Sequence, residues 1–245
     1  MQTVSSEMTN EEQLIKDFPK YYKYSLEVLN EFGGPSIYFH VQCIKEQQLN
    51  FLSERHIELI YATLASWGMH RMGDPKTTKT KLHEYQVFRK SILDFKDELQ
   101  NYLSVHFSKI NETRYVSTIQ KLKNIYSELK VSISDSTIVA NSKALAHILP
   151  HLIPPIDRQY TVRFFTQDRN DFFYRNGKYR LVQLPNGIDA QFDLFVKICQ
   201  KIKRLFDKTD KNIMEINPET FNTSYPKIMD NVIMAYVKKV PKPIK

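Results

Sequence analysis

Between Ser53 and Leu129 the apolar residues recur at intervals of three and four, and this periodicity constrains the chain more than any other feature. From Ser53, a residue type suited to an N-cap, the pattern runs through Ile57, Ile60, Tyr61 and Leu64 and stops near Trp67-Gly68. After a loop marked by Gly68 and Gly73-Asp74-Pro75 it resumes over Lys81 to Phe95, Asp97 to Phe107 and Tyr115 to Leu129. Helices with one apolar stripe bury it against other helices, so the middle of the chain is expected to be a helical bundle. Upstream, Glu11 to Phe32 reads as a helix terminated by Gly33-Gly34-Pro35, and Tyr38 to Glu46 as a short strand or helix. Downstream, Ser136 to Leu149 meets no breaker before Pro150, and Asp189 to Phe206 and Ser224 to Val237 supply two closing helices. Asn176-Gly177, flanked by aromatic runs within Phe172 to Val182, predicts one small β-hairpin. The expected fold class is mainly α.

Partners and compartment follow from charge and cysteine usage. A net charge of +8 favours polyanions, which places nucleic acid first among partner classes. Lys197, Lys201, Lys203, Arg204, Lys208 and Lys211 cluster in one helical stretch and Lys238, Lys239, Lys242 and Lys245 in the tail, although a solvated face is the better account of each run. Cys43 and Cys199 stand far apart without metal-ligand spacing, so no disulfide framework, zinc site, iron–sulfur site or other cofactor is expected. No apolar run reaches the roughly 20 residues that span a bilayer, and Met1 to Glu12 is polar and unlike a signal, so the expectation is a cytoplasmic chain without membrane contact. Phosphate-loop, GxSxG and HExxH patterns are absent, as is a carboxylate cluster suited to two metals, which disfavours a metal-dependent nuclease.

Three stretches hold residues suited to chemistry. Ile138-Val139-Ala140-Asn141-Ser142-Lys143-Ala144-Leu145 is followed at short distance by Ile153-Pro154-Pro155-Ile156-Asp157-Arg158. Asp157, after two prolines, suits an N-cap for a helix beginning near Arg158, a role that also fixes its carboxylate. Leu64 to Gly73 holds the single tryptophan, Trp67, with Met69, His70 and Arg71 behind it. Trp67 reads equally as core and Met69 more readily as core, whereas His70 and Arg71, beyond a helix-breaking glycine, are harder to bury unpaired. Arg158, Tyr160 and Arg163 fall within two turns of Asp157, placed to line a cleft or contact phosphate. Asn222 to Lys227 reads as a helix start capped by Thr223 or Ser224 and is assigned no chemistry.

The first stretch resembles the helix-hairpin-helix DNA glycosylases over roughly residues 57–165, with Lys143 at the lysine and Asp157 at the catalytic aspartate of that family. Val139 and Asn141 stand where the family hairpin has glycines. The resemblance implies a two-lobed helical protein in one compact unit, 1–245, with the glycosylase-like core at about 57–165 and 166–245 adding the hairpin and closing helices. Val139, Ala140, Asn141 and Ser142 would present backbone N–H groups to a phosphate, helped by Arg158 and Arg163. Trp67, Met69, His70, Arg71 and Tyr160 would form the base pocket or fill the gap left by a flipped nucleotide. Asp157 would stabilise the sugar cation, and Lys143 would act as nucleophile or phosphate clamp. The implied partner is double-stranded DNA, bound by a monomer. Substrates left open are a damaged base, a mismatch and a modified base in foreign or phage DNA; the rival expectation is a non-catalytic helical DNA-binding protein.

Overall fold

The computed structural model describes residues 8–31, 33–71, 81–174 and 176–240, and of Arg71 the backbone alone. Side-chain caps fix where several helices start. Thr9 accepts from the Glu12 N–H while the Glu12 carboxylate accepts from the Thr9 N–H at 2.9 Å, a reciprocal box that opens α1 (Asn10–Lys16). Asp17 and Pro19 break the expected long helix, since proline is favoured in the first turn of a new helix, here α2 (Phe18–Leu29). Pro35 does the same for α3 (Pro35–Leu49), so the stretch that reads as strand or helix is helical. Ser53 caps α4 (Glu54–Ser66) through the His56 N–H at 3.1 Å.

The central periodic stretches divide into shorter helices than the pattern suggests: α5 (Tyr85–Leu93), α6 (Lys96–Gln100), α7 (Glu112–Lys121) and α8 (Lys123–Glu128). They are followed by α9 (Thr137–Ile148), a π-turn at Arg158–Val162, α10 (Arg163–Thr166), α11 (Ile188–Lys208) and α12 (Tyr225–Lys239). The fold of the described residues is mainly helical, and none of its helices is long and apolar enough to cross a membrane.

Helix α11 buries Phe192, Phe195, Ile198, Cys199, Ile202, Leu205 and Phe206, and packs on α7, α8 and α9. Helix α12 lies against α2 and the π-turn and is buried along nearly its whole length. Between them, α9 touches α3, α4 and α11, so the stretch bearing Lys143 runs through the middle of the molecule. Where a β-hairpin was expected there is one isolated antiparallel bridge, Phe173 to Tyr179. Gly177 turns this segment at φ +72°, a left-handed conformation that glycine adopts without steric cost. Arg175 lies outside the described residues.

Candidate active site

The chain around Asp157 is shaped by its prolines. Pro154 and Pro155 hold it extended, and Asp157, itself extended at φ −108° and ψ 140°, opens the π-turn. Its Oδ1 accepts from the N–H groups of Gln159 (2.8 Å) and Tyr160 (3.3 Å), while Val162 N–H reaches back five residues to the Asp157 carbonyl. The expected N-cap is thus present, and it leaves Oδ2 free to face Lys143, whose Nζ lies 3.3 Å away. The lysine side chain is 12% exposed and the aspartate 32%, so the pair is sheltered yet open on one side.

That open side is a cavity of about 440 Å³, a size usual for small-ligand sites. Trp67, Gly68, Tyr160, Phe221 and Lys227 line it with the Lys143–Asp157 pair. Gly68, at φ +78°, ends α4 and leaves Trp67 at the helix terminus, where its Nε1 donates to Ser36 O at 3.2 Å. The Lys143 and Lys227 ammonium groups approach the Trp67 ring to 5.7 and 5.4 Å from its centroid. Burial, followed by the Asp157 charge, raises the Tyr160 hydroxyl above the usual phenol range.

Lys227 and Asp230, one turn apart on α12, form a second ion pair at 2.8 Å in the same cavity. Thr161 joins the pairs: its hydroxyl accepts from the Asp157 N–H at 3.2 Å and donates to Asp230 Oδ1 at 3.1 Å. The sequence reading missed Lys227 and Asp230 by treating the segment only as a helix start. The signal available was Lys227, Asp230 and Asn231 at i, i+3 and i+4, three polar residues on one face of a helix that is largely apolar up to Val237.

Behind Trp67 three buried histidines form a chain. His147 Nδ1 lies 2.7 Å from the Lys143 carbonyl, which only accepts, so this nitrogen carries the proton. His147 Nε2 then accepts from His40 Nδ1 at 3.0 Å, and His40 Nε2 accepts from the Thr223 hydroxyl at 3.1 Å. His56 accepts at Nδ1 from the Leu52 N–H and donates from Nε2 to the His147 carbonyl. Burial pushes His147 and His56 each down to about 4 and His40 well below the usual histidine range.

Several expected site residues lie elsewhere. Val139, Ala140, Asn141 and Ser142 are inside α9 and buried: the ladder takes up N–H groups from Ala140 onward, Ala140 reaching Ser136 O at 3.4 Å, and Val139 lies in the buried first turn. The helix begins at Thr137 because nothing in the apolar run opposes it, and the turn that precedes it falls at residues 129–136. Asn141 Nδ2 donates to Tyr126 O at 2.7 Å, and Ser142 Oγ accepts from the Ile156 N–H at 3.0 Å, tying the Asp157 loop to α9. The start of α9 is itself occupied: Gln191 Oε1 accepts from Ile138 N–H and the Thr137 hydroxyl, both at 3.0 Å.

Arg163 is fully buried, with Nη1 donating to Phe172 O at 2.6 Å, Nε to Gln159 O at 2.9 Å and Nη2 to Arg180 O. It staples the 172–182 segment to the π-turn and is not a phosphate ligand. Arg158 is half-buried and donates from Nε to Val182 O at 2.6 Å. Met69 is fully buried in the core, and His70 folds back to cap α4, its Nδ1 donating to Ala65 O at 2.8 Å. Neither lines the cavity. The Arg71 side chain lies outside what is described. Of the sequence-derived candidates, Lys143, Asp157, Trp67 and Tyr160 are brought together.

No family model matches the chain, and no solved structure matches it. Among curated proteins it is similar to maintenance of telomere capping protein 6 from Candida dubliniensis, 24% identical over 126 residues. That stretch is 51% of this chain and 19% of the Candida protein, so the likeness covers about a fifth of the longer molecule.

Proposed function

We propose that the chain is a DNA glycosylase related to the helix-hairpin-helix enzymes, acting on a nucleotide flipped out of double-stranded DNA. The observation that carries the reading is the Lys143–Asp157 pair, 3.3 Å apart on the wall of a cavity shared with Trp67. A flipped base stacks on Trp67, which offsets part of the cost of leaving the duplex. As the glycosidic bond lengthens, positive charge grows on the sugar, and the Asp157 carboxylate stabilises it at close range. Two N–H bonds from the π-turn keep that carboxylate aimed. Lys143 attacks C1′ as the amine, and Asp157, still a carboxylate while the cation forms, receives the proton that the new C–N bond releases. With water as nucleophile instead, the same carboxylate accepts the proton and Lys143 holds the sugar–phosphate backbone. Helices α8 and α9 and the turn at 129–136 stand in place of the family's helix-hairpin-helix, in a two-lobed monomer with the cavity at the junction.

Wild type and Asp157→Asn are incubated with duplexes carrying damaged, mismatched and modified bases, and abasic sites are assayed before and after alkali. Excision by wild type, reduced at least about 100-fold in the variant with its fold intact, is the expected result. Strand breaks without alkali show lyase chemistry, and their loss in Lys143→Ala assigns it to Lys143. Tight DNA binding with no product from any duplex refutes the enzyme and leaves a non-catalytic DNA-binding protein.

A further inference from the structure

The second ion pair of the cavity has no part in the mechanism above. Lys227 and Asp230 have side chains only 10% and 12% exposed, and two ions so far removed from water are costly to keep. The surroundings hold the lysine in place. Its Nζ donates to Asp230 Oδ2 at 2.8 Å and Asn231 Oδ1 at 2.6 Å. Asn231 is in turn fixed by donating to Phe221 O at 3.2 Å and Asn222 Oδ1 at 2.8 Å. An ammonium has three N–H groups, so one remains after these two bonds. It belongs to a nitrogen lying 5.4 Å from the Trp67 ring centroid and 5.8 Å from that of Phe221, beside the aromatic surface on which a base would stack.

We propose that Lys227 donates this third hydrogen bond to a carbonyl oxygen of the departing base, an inference that rests on the glycosylase reading. When the C1′–N bond breaks, its electron pair leaves on the base and delocalises through the ring onto that oxygen. The new bond at C1′ forms from the Lys143 amine or from water, whose proton passes to Asp157. The base leaves as an anion held by the Lys227 ammonium and takes a proton from solvent after release. The oxygen is more negative in the transition state than in the bound substrate, so the interaction accelerates cleavage as well as aiding binding. The substrate class is therefore a base with a carbonyl conjugated to the glycosidic nitrogen. An exocyclic amino group at that position would face the ammonium donor to donor and be rejected.

Two measurements test this. Trp67 is the single tryptophan of the chain and lines the cavity, so its fluorescence reports occupancy without turnover. Free hypoxanthine and uracil are expected to quench it, adenine not, and Lys227→Met is expected to weaken the effect about tenfold or more. Lys227→Gln, which keeps a donor to Asp230 and Asn231 without the charge, takes its place if the methionine variant does not fold. Single-turnover excision is then compared on duplexes carrying deoxyinosine, deoxyuridine and 5-fluorodeoxyuridine. Loss of Lys227 should slow deoxyuridine by about 100- to 1,000-fold and 5-fluorodeoxyuridine, whose anion is the more stable, by clearly less. Equal slowing of the two uracils overturns the role of Lys227 and leaves the glycosylase standing. A wild type inert on every base panel overturns the glycosylase, and with it the proposal, even if free bases bind. Quenching by adenine equal to that by hypoxanthine, or no quenching by any base, overturns the proposal whatever the activity.

Discussion

Acidification should unfold this protein through its buried histidines, with a slope that the structure fixes. His147 and His56 lie at about 4 in the folded chain, against 6.5 when exposed. Above about pH 6.5 both are neutral in folded and unfolded states and contribute no pH dependence. Below it the unfolded chain takes up a proton at each while the folded chain does not, so stability falls with falling pH until about pH 4, where the folded histidines also protonate. Each contributes about 1.4 kcal/mol per pH unit in that window. By about pH 5 the two together remove about 4 kcal/mol, a large part of the 5–15 kcal/mol typical of a folded domain. His40, also held below the usual histidine range by burial, acts in the same direction. Urea denaturation followed by Trp67 fluorescence and circular dichroism between about pH 7.5 and 5 measures the slope. His56→Gln isolates one contribution, because the difference in slope between wild type and variant counts the lost proton whatever the variant's absolute stability. A difference near zero refutes the argument that His56 is held neutral.

Two further outcomes test residues whose roles the fold reassigns. Arg163→Leu deprives three backbone carbonyls and two glutamine side chains of donors, and should cost about 3–5 kcal/mol in chemical denaturation, with loss of the Phe173–Tyr179 bridge. Were Arg163 a phosphate ligand instead, the variant would keep its stability and lose DNA affinity. Asn141→Ala removes the donor to Tyr126 O and should cost about 1–3 kcal/mol while leaving the salt dependence of DNA binding unchanged; a flatter salt dependence would return Asn141 to the interface.

Periodicity made most of the helices legible because the buried stripe leaves its spacing in the sequence, as Phe192, Phe195, Cys199, Ile202 and Phe206 do along α11. It could not mark the break at Asp17, where local chain geometry and not the apolar pattern decides. At the site, Lys143 and Asp157 were singled out by the family resemblance, and only the cap formed by Asp157 was readable from the residues themselves. Val139 to Ser142 were misplaced because a family hairpin was laid over an apolar run able to continue as helix. Met69 follows the core reading that the sequence favoured for it over the pocket role, carried inward by the reversal after Gly68. Lys227 and Asp230 escaped notice because their significance comes from the opposite wall of the cavity, far away in sequence.

Thr161 ties the backbone that carries Asp157 to the carboxylate of Asp230. Its single hydroxyl both receives the Asp157 N–H and supplies Asp230, so its proton has one direction in which to point. The arrangement links the Asp157 side of the cavity to its Asp230 side. Asp230→Asn should therefore disturb the start of the π-turn, and Thr161→Val should remove that effect. If the two ends of a bound nucleoside are sensed together, this threonine is the physical reason, though it touches neither end.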